Sequence, residues 1–120
     1  MVLVYVGADV FGLVTKGSER MNAKFAVIFK AQLKAVDQSY HETAARMRQK
    51  AIAEYGCLDF VSVNENNKEV SISYWESEQA ILNWKNDPEH QDAQQKGADR
   101  WYRNYTVEVV ELKRSYSFNI

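Results

Sequence analysis

Cysteine is nearly missing from this chain: Cys57 is the single one among 120 residues. One thiol forms no intrachain disulfide and has no companions for a zinc pattern. A reducing cytoplasm is the natural setting for such a sequence. Long apolar runs are missing too. The stretch from Val2 to Val14 is too short to cross a bilayer and is interrupted by Asp9. It lacks the basic leading region and small-residue cleavage pattern of a signal peptide. Neither sign of charge prevails, with 15 Lys and Arg against 16 Asp and Glu for a formal net charge of −1. No block of like charge recommends nucleic acid or an anionic membrane as a partner. There is no glycine-rich phosphate loop, no paired-carboxylate signature and no nucleophile elbow.

What is present is ordinary globular material, 46% hydrophobic and 26% charged. A chain of this length fits one domain and buries roughly two thirds of its unfolded surface, enough for a core without staples. Residues 1–20 differ from the rest. Val2, Val4 and Val6 alternate with Leu3 and Tyr5, then Gly7, Gly12 and Gly17 punctuate the stretch. Two readings stand for this segment: a leader, natural or artificial, with Met21 as the original start, or an extra strand that pairs with a neighbour. The regular domain pattern occupies residues 21–120.

Phe25 to Leu33 predicts a largely buried strand, with Phe25, Val27 and Phe29 alternating against Ala26 and Ile28. Asp37 and Ser39 offer helix starts, and Ser39-Tyr40-His41-Glu42 fits a capping box. The helix beyond places Tyr40, Ala44, Met47, Ala51 and Tyr55 on one stripe, and Gly56 stands where a left-handed terminator is needed. Cys57–Val63 and Glu69–Trp75 read as strands around a turn at 64–68, since asparagine tolerates the left-handed backbone a hairpin requires. In the second of these, Val70, Ile72 and Tyr74 face one way and Ser71, Ser73 and Trp75 the other. Ser77 caps a short helix with Ala80, Ile81 and Trp84; Asp87-Pro88 then stops it and starts another. On that second helix His90, Gln94, Gly97 and Trp101 fall on one face at helical spacing. Tyr105–Arg114 closes the pattern as a strand, with a slip in alternation at Val109-Val110 that suggests a bulge.

Strand, helix, strand, strand, helical pair, strand is the order of an α+β fold of ferredoxin-like type with an antiparallel sheet. Helices cover one face of such a sheet. The other, expected to carry Trp and Phe, needs a cover, and a second copy is the economical one.

Several segments, taken in order, resemble the antibiotic biosynthesis monooxygenase family. They are Phe25-Ala26-Val27-Ile28-Phe29, then Ser73-Tyr74-Trp75-Glu76-Ser77 with trailing Ala80 and Trp84. Glu89-His90, Gln94, Gly97, Arg100-Trp101-Tyr102 and Tyr105 follow, and Arg114-Ser115-Tyr116-Ser117-Phe118 closes the set. The resemblance runs from about Lys24 to Phe118. It implies a dimeric α/β barrel, two sheets packed face to face, with a pocket between sheet and helices in each subunit. It also implies, for some members, oxidation of electron-rich aromatic compounds without metal or flavin. Other members degrade heme, using a first-strand asparagine and a histidine after the helical tryptophan. Trp84 matches that tryptophan. Gln94 stands at the histidine position, and Phe25–Leu33 has no asparagine, so the heme branch is disfavoured.

His90 is the sharpest candidate. Lying in the first turn of its helix, it is held neutral by the free backbone donors there and can take a proton from a phenol. The plainer alternative is a histidine that packs the helix start. Trp75, Trp84, Trp101 and Tyr105 are candidates for the walls of an aromatic pocket, or else simply core. Arg100 is expected to pair at the surface with Asp99 or Glu89, His41 to be solvated, and Cys57 to be buried and inert. Two functional expectations result. One is a cofactor-independent monooxygenase with His90 as base and a small aromatic substrate. The other is a non-catalytic dimeric ligand-binding or stress-related protein using the same pocket. No metal or other cofactor is called for in either.

Overall fold

A computed structural model describes residues 22–120. The two readings of residues 1–20, and of Met21 as a start, lie outside the described residues. The elements run β1 (Phe25–Leu33), α1 (Gln38–Glu54), β2 (Asp59–Glu65), β3 (Lys68–Trp75), α2 (Glu78–Lys85), α3 (Pro88–Lys96) and β4 (Tyr102–Glu111). A π-helical turn, Gly97–Trp101, joins α3 to β4. The strands form one antiparallel sheet in the order β2-β3-β1-β4, the ferredoxin-like arrangement.

Local chemistry explains most of the boundaries. Asp37, not Ser39, caps α1: its side chain accepts from the Tyr40 N–H at 2.9 Å. The expected capping box is therefore displaced, because Asp37 reaches the free donors first and leaves Ser39 inside the helix. Gly56 ends α1 with φ +79°, and the Cys57 N–H returns to the Ala51 carbonyl at 3.0 Å. Asn66 and Asn67 both take positive φ and join β2 to β3 by a two-residue turn, so that Glu65 pairs with Lys68. Ser77 caps α2 through the Ala80 N–H. Asp87 caps α3 through the His90 N–H, with Pro88 in the first turn.

Two expectations about the last strand fail. β4 begins at Tyr102, three residues early, because the π turn delivers the chain to the sheet edge sooner than an α-helical exit would. Val109 and Val110 pair regularly with Val27 and Ala26; the irregularity lies between Gln32 and Leu33, where Arg103 is skipped. β2 is likewise shifted, to Asp59–Glu65: Cys57 is taken up in closing the helix on the Ala51 carbonyl, and Leu58 bonds to the Tyr74 carbonyl of β3 just ahead of the regular ladder.

Helices α1, α2 and α3 lie over one face. Met47 and Ala51 of α1, Trp84 of α2 and Ala93 of α3 pack with Phe60 and Trp75 from the sheet. Tyr40 and Ala44 pack in a neighbouring cluster with Phe29, Ala31, Leu33, Trp101 and Tyr102. Each fully buried large side chain contributes about 1.5–3 kcal/mol. Phe29, Phe60 and Trp75 are therefore under the helices, correcting the expectation that the bare face carries Trp and Phe. That face carries Val61, Val63, Val70 and Ile72, of which Val63 is 61% exposed. Arg100 is exposed, and Glu89 is held instead by Arg46 and Lys50 of α1. His41 is exposed and Cys57 buried. Among the described residues no helix is long and apolar enough to cross a membrane.

Candidate functional site

Between the sheet and helices α2 and α3 lies a cavity of about 400 Å³, within the roughly 300–1,000 Å³ typical of small-molecule sites. Its floor is the helix-facing side of β1 and β3: Val27, Phe29, Ser71, Ser73 and Trp75. Its roof is Ile81, Trp84 and Lys85 of α2 with His90 and Gln94 of α3. Along β4, Tyr105, Val107 and Val109 line it and stay partly exposed, so the cavity opens at that sheet edge.

Asp87 fixes the roof. Burial alone pushes its carboxyl up, but hydrogen bonds from the Tyr55 hydroxyl (2.5 Å), the His90 N–H (2.9 Å) and Lys50 together outweigh that and hold it at about 2. Lys50 also reaches Glu89, whose carboxyl sits at about 2 under Arg46 and Lys50. This network ties α1 to the first turn of α3, the turn that carries His90.

His90 is 4% exposed and lies flat on the Trp84 indole, with ring centroids 4.2 Å apart and planes 7° from parallel. Its Nδ1 is 2.9 Å from the Trp84 carbonyl. A carbonyl only accepts, so Nδ1 carries the hydrogen and Nε2 carries the lone pair. Burial lowers the imidazole to about 4, against the opposing pull of the Trp84 carbonyl. The ring is therefore neutral near pH 7. Among the described residues Nε2 has no hydrogen-bond partner, and neither has Trp84 Nε1. A buried lone pair and a buried N–H without partners carry a desolvation penalty that a ligand can relieve.

The floor is polar where sequence reasoning named no site residue. Glu69 is fully buried and accepts from Tyr40 Oη at 2.6 Å and Tyr102 Oη at 3.3 Å, both on Oε1. Ser71 Oγ donates to Glu69 Oε2 at 2.8 Å and lies 2.9 Å from Ser62 Oγ. Burial first, and then the nearby Glu69 charge, push both tyrosine hydroxyls well above the usual phenol range. Ser73 Oγ accepts from Trp75 Nε1 at 2.8 Å, which settles that indole. The signal for this floor was the alternation Glu69, Ser71, Ser73, Trp75; what concealed it was that only the tertiary fold decides which side of β3 meets the helices.

Of the residues singled out by sequence, His90, Trp75, Trp84 and Tyr105 border the cavity, together with Gln94. Trp101 is seated elsewhere, edge-on to Tyr40 at 5.5 Å in the cluster under α1. The π turn is the reason: its wider winding breaks the α-helical spacing that put Trp101 on the His90 face. Gly97 shows how close the backbone comes there, since an added Cβ would stand 2.6 Å from the Tyr102 ring. No group of three or more His, Cys, Asp or Glu side chains among the described residues is placed to hold a metal ion.

Residues 25–96 match the family model described as antibiotic biosynthesis monooxygenase. The uncharacterized protein YqjZ of Bacillus subtilis (strain 168) is 39% identical over 95 residues, covering 78% of this chain and 83% of that protein. Among solved structures, Rv0793 from Mycobacterium tuberculosis superposes with a TM-score of 0.67 at 17% identity, covering 79% of this chain and all of that one. SnoaB, a cofactor-independent oxygenase from Streptomyces nogalater, gives a TM-score of 0.66 at 10% identity, covering 78% of this chain and 96% of that one. At such identities the structural likeness speaks for the fold alone.

Proposed function

Because this chain belongs to the antibiotic biosynthesis monooxygenase family, we propose that its cavity admits a small hydroxylated aromatic compound and that the protein oxidises it with dioxygen, without metal or flavin. The observation that carries this reading is the Nε2 of neutral His90, without a hydrogen-bond partner among the described residues and beside aromatic walls. Trp75, Trp84 and Tyr105 give a flat ring its contact area, and Nε2 accepts a hydrogen bond from a ring hydroxyl. With a conjugate-acid pKa of about 4, His90 orients that hydroxyl more than it retains its proton. SnoaB, a cofactor-independent oxygenase, has the same fold, so the fold is compatible with that reaction class.

The low basicity of His90 also favours the second reading, a protein that binds an aromatic ligand without turning it over. Oxygen uptake separates the two. With dithranol as substrate, the enzyme reading expects uptake above the spontaneous rate and a loss of about 100-fold or more in His90→Ala. Saturable binding with no uptake supports the binding protein, and unchanged turnover in the variant removes His90 from the mechanism. A second copy of the chain is the proposed partner, seated on the bare sheet face so that its exposed valines are covered. A cytoplasmic location suits the lone reduced thiol of Cys57.

A further inference from the structure

The helix-facing side of β3 holds a hydrogen-bonded chain that starts in the cavity and ends on a buried carboxylate. Ser71 borders the cavity and is 1% exposed. Its single hydroxyl hydrogen is committed to Glu69 Oε2 at 2.8 Å. Ser62 Oγ, 2.9 Å away, must then donate to Ser71 and occupy one of its two lone pairs. One lone pair is left, and no hydrogen, for whatever enters the cavity. The far end is equally directional. Glu69 Oε1 already accepts from Tyr40 and Tyr102, whose burial keeps their hydroxyls protonated. Three donors, Tyr40, Tyr102 and Ser71, converge on Glu69, an arrangement that favours its ionised form. The carboxylate then sets the direction of the Ser71 and Ser62 hydrogens, and the row presents an acceptor to the cavity.

We infer that Ser71, polarised by Glu69, makes the cavity floor an acceptor-only contact that selects neutral hydroxyl-bearing ligands over their anions and serves as the outlet for the hydroxyl proton. This rests on the reading of the cavity as a site for hydroxylated aromatic compounds. A ligand O–H not engaged by His90 Nε2 donates to Ser71 Oγ. When that O–H bond breaks, its proton passes to Ser71 Oγ while the Ser71 hydrogen passes to Glu69 Oε2. The bonding pair stays on the ligand oxygen, so the negative charge moves from Glu69 to the ligand and the total is unchanged. Ser71 touches the ligand; Glu69 acts through it as a positioning residue. On the roof, His90 offers another acceptor, and Lys85 at the exposed rim is the cation among the described lining residues.

The substitution Glu69→Gln tests the direction of the chain. Two tyrosine donors keep the amide oxygen at the Oε1 position, so the amide nitrogen takes the place of Oε2 and donates to Ser71. The Ser71 hydrogen is then released, and the floor becomes able to donate to an anion. The measurement is equilibrium dialysis of the full chain with 4-nitrophenol, on either side of the probe's own ionisation near neutral pH. His90 is neutral throughout that range, and Lys85 and Tyr105 are common to every variant, so they cancel in the comparison. The readout is the ratio of affinities for phenol and phenolate, which loss of folded protein alone does not move.

Wild type is expected to prefer the neutral phenol by about tenfold or more, the scale of one hydrogen bond to a charged group. Glu69→Gln and Ser71→Ala are each expected to lower that ratio by about tenfold. Ser71→Thr, which keeps the hydroxyl, retains the wild-type ratio even if its methyl group weakens both affinities. Should Glu69→Gln fail to fold, the Ser71 pair decides alone. An unchanged ratio in Ser71→Ala, or a wild type that binds phenolate as tightly as phenol, overturns the relay and leaves the cavity reading standing. No saturable binding of the probe to wild type overturns the cavity reading and the relay with it. Absence of dithranol oxidation, with the ratios as expected, removes the oxygenase reading only.

Discussion

The two faces of the sheet reverse the usual allocation of side chains. The face under the helices holds Glu69, Ser62, Ser71 and Ser73, all buried. The bare face holds Val61, Val63 and Val70, all more than a third exposed. An interior carboxylate and two of the hydroxyls, Ser62 and Ser71, are tolerated because they bond to one another and to two tyrosines, and the third, Ser73, accepts from the Trp75 indole. Among the described residues the exterior row of valines has no such internal remedy. The buried polar row is the part of the proposal that concerns a ligand, and the exposed apolar row the part that concerns a second copy.

The largest way to break this contrast is Glu69→Ala. It removes the carboxylate that two buried tyrosine hydroxyls and Ser71 donate to, and urea denaturation should register a loss of about 3 kcal/mol or more. A midpoint unchanged from wild type would mean that the row reorganises freely. Gly97→Ala comes next. Its methyl group meets the Tyr102 ring at 2.6 Å, and Tyr102 is itself packed against Phe29 and bonded to Glu69. A loss of about 1–3 kcal/mol is expected from such overpacking, read by thermal melting; a neutral result would show that Tyr102 yields easily.

Acid sharpens the contrast further. A His90 that stays neutral to about pH 4 in the fold but protonates near 6.5 when unfolded makes the unfolded chain the stronger proton binder between those values. Stability should fall as pH drops from about 6.5 to about 4. Asp87 has the second window: its contribution is complete above the ordinary value of 3.8 and is lost toward about 2. In His90→Phe, which keeps the stack on Trp84, the upper window should flatten while the lower remains; an unaltered profile would assign the acid loss elsewhere. The smallest effect on stability is expected from Val63→Lys on the bare face, within about 0.5 kcal/mol for an exposed site. On the proposed pairing through this face, sedimentation should nonetheless report a shift from dimer to monomer, and a variant that still sediments as a dimer would move the interface off this face.

Much of the fold was legible because its signals are local. Gly56, the Asn66-Asn67 turn, Ser77 and Asp87-Pro88 each act within a few residues of themselves, and each falls where its chemistry requires. β1 was readable from its own alternation. His90, Trp75, Trp84 and Tyr105 border one cavity because strand parity and helix phase place them there. Trp101 was misplaced by a single non-α turn, a change of winding that leaves no mark in residue spacing. Glu69 was invisible for a different reason. Its partners Tyr40 and Tyr102 lie 29 and 33 residues away, and nothing in the sequence of β3 distinguishes a solvated glutamate from one held by two phenols.

The two-residue link between β2 and β3 reaches well beyond its own geometry. Side chains along a strand alternate strictly, so a slip of one residue in pairing exchanges the two faces wholesale. Asn66 and Asn67, by allowing no third residue, act as a parity lock. One inserted residue would invite Val70 and Ile72 beneath the helices and turn Glu69 and its serines out to water. The acidity of the interior and the stickiness of the exterior would be traded in one step, with every side chain needed for the site still present in the chain.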